Sequence, residues 1–133
     1  MPVSSYGVAA SHREKLKLDN SRAPPMREIY PQLAELRLEF EFDDRTARAP
    51  SPLAFSYFPA ARGFFRYACP CHTCNGEFDL SLQVAEVADL NNHPARTRRV
   101  NITCTGLRPL EADVRGACPI IARVRLSATP HRE

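Results

Sequence analysis

Between residues 69 and 74 the chain reads Cys69-Pro70-Cys71-His72-Thr73-Cys74, which puts three thiols and an imidazole into six residues. Few structural needs other than a metal explain that density. Soft, closely spaced donors suit a structural ion, which wants four deprotonated ligands at the corners of a tetrahedron. The chain has five Cys, and the remaining two, Cys104 and Cys118, lie far downstream. An odd count leaves one thiol over from any complete pairing. No early positive charge followed by an apolar run marks a secretory signal, so the expected compartment is the reducing cytoplasm. There, clustered Cys more often serve metals or chemistry than disulfides.

How the donors meet depends on the strands around them. Phe64 to Ala68 is a strand candidate entered through Gly63 and ending at Cys69, and Gly76 to Phe78 is its return. The pair makes a hairpin with the cysteine cluster at its tip. Two pairings fit within that tip: Cys69 with Cys74, or Cys71 with Cys74. The first is preferred, because it sets two sulfurs at the facing ends of the strands. Arg98 to Cys104 reads as another strand, with Val100, Ile102 and Cys104 on one face. Pro119 to Ala128 is the last, with Ile120, Ala122, Val124 and Leu126 alternating against Ile121, Arg123, Arg125 and Ser127. Antiparallel pairing of these two brings Cys104 and Cys118 together at the end of a long loop, Thr105 to Ala117. The expected ligand set is Cys69, Cys74, Cys104 and Cys118, with Cys71 and His72 as alternates.

Elsewhere, Leu36, Leu38, Phe40 and Phe42 alternate with Arg37, Glu39, Glu41 and Asp43, the pattern of a strand with one wet face. Leu53 to Phe58, flanked by prolines, suits an edge strand. Asp79 or Ser81 can cap a helix running to about Asn91, with Leu80, Val84, Val87 and Leu90 at helical spacing; the Ala and Glu content favours helix over strand. Residues 1–28 mix Ser, Pro, Ala and charges without sustained periodicity. They are expected to form a flexible arm with a short helical turn near His12 to Leu18. Residues 29–133 are then one metal-stabilised domain. The fold class is α+β, mainly antiparallel β, with four or five strands and one helix.

This layout resembles the zinc ribbon and zinc knuckle proteins, in which two cysteine-bearing turns pinch one ion above a small sheet. The resemblance spans roughly Phe64 to Leu126. It rests on Cys69, Pro70, Cys71, Cys74, Gly76, Cys104, Gly106 and Cys118, and departs from the family where Cys104-x13-Cys118 replaces a close C-x2-C pair. It implies a structural Zn²⁺ and a place in transcription or translation machinery.

The 133 residues carry a formal charge of only +3, short of what alone announces a nucleic-acid binder. The excess is uneven. Residues 1–80 balance ten cations against ten acids, whereas residues 81–133 hold eight Arg against five acids. Arg98, Arg99, Arg108, Arg123 and Arg125 are the candidate nucleic-acid contacts, since Arg meets phosphate in a planar, bidentate fashion. Six of the 11 aromatics fall between Phe55 and Tyr67, where they either stack bases or fill a core; the core is the preferred reading. No apolar run is long enough to cross a membrane as a helix. The chain lacks the deaminase, nucleophile-elbow, phosphate-loop and dinucleotide signatures. The functional expectation is a non-enzymatic zinc module docking on nucleic acid or a ribonucleoprotein. A protein–protein adaptor with structural zinc is the second reading, and a metal- or thiol-dependent enzyme the third.

Overall fold

A computed structural model describes residues 5–43, 52–71, 74–89, 97–111 and 114–131. The alternating segment forms β1 (Leu33–Asp43) and the last alternating segment forms β8 (Ile121–Pro130). They pair antiparallel down the middle of a four-stranded sheet. β2 (Leu53–Tyr57) borders β1 and β5 (Thr97–Thr103) borders β8, giving the order β2-β1-β8-β5. Register follows from the pleat: Leu36 faces Ala128, Leu38 faces Leu126, Phe40 faces Val124 and Phe42 faces Ala122. All eight are buried. A one-residue slip would turn this whole apolar set to water, so the alternation itself fixes the pairing.

The buried face is covered by short elements that cannot stand alone. The strands of the first cysteine hairpin, β3 (Arg66–Ala68) and β4 (Glu77–Asp79), hold only three residues each. Phe78, fully buried on β4, reaches the Phe42 ring at 6.0 Å between centroids. Tyr67 on β3 packs edge-on against Phe40 at 4.8 Å. Helix α3 (Ser81–Ala88) follows β4 directly and buries Val84, Val87 and Ala88 beside Leu80. The exposure of Leu82 settles helix against strand here, because in a strand it would share the face of Leu80 and Val84. The Asp79 carboxylate accepts the Ser81 N–H at 3.0 Å and so satisfies one of the helix's open donors. The stretch Leu90 to Arg96, where the helix was expected to end, lies outside the described residues.

Two segments differ from the sequence expectation. The stretch read as a long loop between Cys104 and Cys118 is a ribbon of two strands, β6 (Leu107–Glu111) and β7 (Val114–Ala117). Pro109 and Gly116 read as loop residues, yet a two-stranded ribbon has open edges and tolerates both. The region expected to hold one helical turn forms α1 (Ser5–Arg22), 18 residues long, with Leu16 buried. It is followed by the single turn α2 (Met26–Ile29), whose Met26 is fully buried. α1 has no apolar stripe to announce it. Its attachment is mainly polar and long-range.

Candidate metal centre

The two cysteine pairs meet, and the Sγ atoms of Cys69, Cys74, Cys104 and Cys118 all lie within 4.8 Å of one another. Cys69 and Cys118 are 3.8 Å apart, and Cys74 and Cys104 are 3.4 Å apart. A tetrahedron with metal–sulfur bonds of about 2.3 Å has sulfur–sulfur edges of about 3.8 Å. The spacing therefore fits a single ion, and is far from the bond length of a disulfide, which no cysteine forms. Each of the four side chains is at most 7% exposed.

The two halves are built from the same parts. Each has a Cys-x-Gly turn, Cys74-Asn75-Gly76 and Cys104-Thr105-Gly106, in which the glycine N–H donates to the sulfur at 3.2 and 3.3 Å. Each also has a Cys-Pro step, Cys69-Pro70 and Cys118-Pro119. The N–H of Cys69 donates to the Gly76 carbonyl at 3.1 Å, and that of Cys118 to the Gly106 carbonyl at 3.0 Å. The order of the two parts is reversed along the chain, which hides the repeat from a linear reading. Both glycines stand out in the sequence, whereas the pairing of Cys-Pro with Cys-x-Gly, the signal that ties Cys118 to Cys104 across the intervening ribbon, emerges only from the fold.

The glycines meet back to back. A Cβ on Gly76 would collide with the Cys104 sulfur and stand 2.5 Å from the Gly106 nitrogen, while one on Gly106 would collide with the Gly76 backbone. Neither neighbour is a flexible side-chain end that can swing away. Both turns need glycine so that the tips can close to sulfur–sulfur contact.

Electrostatics points the same way. Hydrogen bonds from Cys104 and then Cys69, with help from the Gly76 N–H, pull the Cys74 thiol far down, to about 2. Cys104 is drawn down by Cys69, but its bond to Cys74 and burial outweigh this and push it up to about 12. Cys69 is pushed up by its bonds to Cys104 and Cys74 and by burial. Without a cation, Cys69, Cys74 and Cys104 compete for protons, and of these three only Cys74 ionises readily. A divalent ion removes that conflict by binding the sulfurs as thiolates, and the glycine N–H groups help to offset the negative charge that is left. The donor set, spacing and backbone N–H groups aimed at sulfur all fit such an ion.

Cys71, the alternate ligand, stands apart from this four-sulfur group and is half-buried. The other alternate, His72, lies outside the described residues. The carbonyl of Cys71 accepts a hydrogen bond from the Arg13 guanidinium at 2.7 Å, with the Cys69 carbonyl at 3.5 Å from the same nitrogen. α1 is thus latched to the metal loop. Beneath the latch, Glu77 receives both Arg66 nitrogens at 2.5 and 2.7 Å and lies 3.5 Å from His12 Nε2, while Asp19 reaches Arg66 at 3.5 Å. The Glu77 pairing raises the Arg66 pKa. None of these partners is close in sequence, so no local pattern discloses them.

The candidate arginine face assembles only in part. On the open side of the sheet, Arg125 stands between Glu39 and Arg99, and Arg123 between Glu41 and Asn101. Arg125 lies 3.9 Å from Glu39 and Arg123 lies 3.5 Å from Asp43. A hydrogen bond from Arg37 at 2.9 Å, aided by the charges of Arg37 and Arg125, holds Glu39 below the usual carboxylate range. Arg98 belongs to the opposite parity and pairs with Glu86 of α3. This corrects its place in the expected face, and the alternation that put Val100 and Ile102 on the core side already contained that answer. Arg108 is on β6, and its side chain lies outside the described residues. The aromatics of residues 55–67 mostly pack on one another in the core, as in the T-shaped contact of Tyr57 with Phe65. Phe58 is the exposed exception.

Among the described residues, no helix is long and apolar enough to cross a membrane. No family model, curated protein or solved structure matches the chain significantly.

Proposed function

We propose that the four cysteines hold one Zn²⁺ in a structural role, as in a zinc ribbon, and that the chain is a non-enzymatic binding module. The observation that carries this reading is the burial of all four sulfurs. A catalytic zinc keeps one position open for water or substrate, whereas four buried thiolates leave none. Glu77, the carboxylate nearest the tip in sequence, is occupied by Arg66 and so is poorly suited as a general base. The thiol-enzyme reading is no better supported, since Cys74 leads into the strand β4 and not into a helix as a redox pair would.

A protein partner is favoured over nucleic acid. Arg123, Arg125 and Arg98 each face a carboxylate, and base-stacking rings are absent from the described part of the open sheet face. Such a mixed-charge face suits another protein surface better than a row of phosphates. The nucleic-acid reading keeps one observation in its favour, the side-by-side placement of Arg99 and Arg125.

Elemental analysis with native mass spectrometry tests the metal: one Zn per chain is expected, and metal-free protein that melts unchanged in a chelator would end this reading. Four thiolates also suit iron, whose visible absorbance would reveal it. Titration of oligonucleotide binding against salt tests the partner. Tight binding that falls steeply with ionic strength would restore nucleic acid as the target.

A further inference from the structure

The sheet's two edges are protected unequally. β5 carries Arg98 and Arg99, charges that discourage another strand from adding to it. β2 reads Leu-Ala-Phe-Ser-Tyr, with no charge at all, and among the described residues it pairs on one side only, with β1. Leu53 on this strand is 46% exposed and Phe58 just beyond it is 55% exposed. Beside β2 runs a groove of about 720 Å³, walled on the far side by β3 and α1. Its apolar lining includes Leu53, Phe55 and Phe64. Its charged lining is Arg13, Lys17, Arg62 and Arg66, without a carboxylate among the described lining residues.

Resting on the protein-partner reading above, we infer that the β2 edge and this groove accept an extended, acidic segment of another protein as an added strand. Main-chain hydrogen bonding to β2 supplies the affinity common to such additions, and alternate side chains supply specificity. Apolar residues of the segment lie over Leu53 and Phe55, and its carboxylates meet Arg13 and Arg62 first and Lys17 in exchange for Glu14, while Arg66 is held by Glu77 and Asp19. Arg13 and Arg62 are already oriented by backbone carbonyls, Arg13 at Cys71 and Arg62 at Ala23 with 2.8 Å. Those contacts fix the guanidinium groups without neutralising them. Charge also selects against a second copy of this chain as the occupant, because a β2-to-β2 pairing brings like cations of the two grooves together.

The test uses full-length protein purified with its metal and three dye-labelled eight-residue peptides, in which Val alternates with Glu, Lys or Ser. Anisotropy should rank the Glu peptide first, at least tenfold tighter than the Lys peptide. Amide hydrogen exchange across Leu53–Tyr57 should slow when the Glu peptide binds. The Lys17→Glu/Arg62→Glu double variant should weaken the Glu peptide at least tenfold and strengthen the Lys peptide; the peptide ranking on unaltered protein remains decisive should that variant fold poorly. No binding of any peptide up to millimolar concentration, equal binding of all three, or protection confined to another element overturns the inference. So does a concentration-dependent dimer protected at β2. Failure of the peptides without oligonucleotide affinity removes the groove alone, whereas tight, salt-sensitive oligonucleotide binding removes the protein-partner reading as well.

Discussion

The four-stranded sheet and the cysteine end are held together by different physics. β1 and β8 share ten registered positions, and their inward residues are buried along the whole length. Their stability is spread over area, with each large apolar side chain contributing about 1.5–3 kcal/mol when fully buried. The β3–β4 hairpin has three registered positions, too few to persist by pairing alone. Its order depends on a point, the place where four sulfurs converge. Area tolerates local damage because neighbours repack, while a point does not.

Metal removal should therefore have the largest effect. Chelation, or Cys74→Ser or Cys104→Ser, is expected to forfeit stabilisation on the order of 10 kcal/mol at neutral pH. Because Phe78 and Leu80 join the hairpin to the sheet core, circular dichroism and tyrosine fluorescence should report one shared transition. Separate transitions would mean that the sheet stands without its metal end.

Next comes the seam between the regions. Phe78→Ala should cost about 3–5 kcal/mol in urea unfolding yet leave the metal stoichiometry at the wild-type value. Loss of metal from this variant would show that the site depends on the core more than its own geometry suggests.

Gly106→Ala sharpens the contrast from the other side. Its Cβ meets the Gly76 backbone, so a cost of about 1–3 kcal/mol is expected from overpacking. Metal affinity, measured by chelator competition, should fall by about 10–100-fold, as for other changes in groups that orient ligands. An Ala variant that binds metal normally would show that the back-to-back contact is dispensable.

The smallest effect should follow Arg13→Ala, about 1 kcal/mol, since one charge-assisted hydrogen bond to the metal loop is lost. Hydrogen exchange should rise in α1 and in the Cys69 to Cys71 segment while the central sheet is unaffected. Equal exchange everywhere would count against the latch.

What could be read in advance divides along the same line. β1 and β8 were legible because a period of two maps directly onto burial, and the four sulfurs because clustered thiols have few other uses. α1 was not legible. Leu16 is its one described apolar residue in the core, and its docking uses Arg13, His12 and Asp19 against partners more than forty residues away. The β6–β7 ribbon escaped notice because Pro109 and Gly116 carry loop signals, which an open two-stranded ribbon does not have to obey. Arg98 was misplaced by grouping cations by type instead of by parity.

The Arg13 contact carries a mechanical meaning as well. The first helix grips the loop between Cys69 and Cys71 through Arg13 and the strands of the same hairpin through His12 and Asp19, so tension applied to that helix is passed to a ligand and to its short strands together. Whatever tugs on that helix, a tether or an engineered fusion, loads the cysteine hairpin before the central sheet.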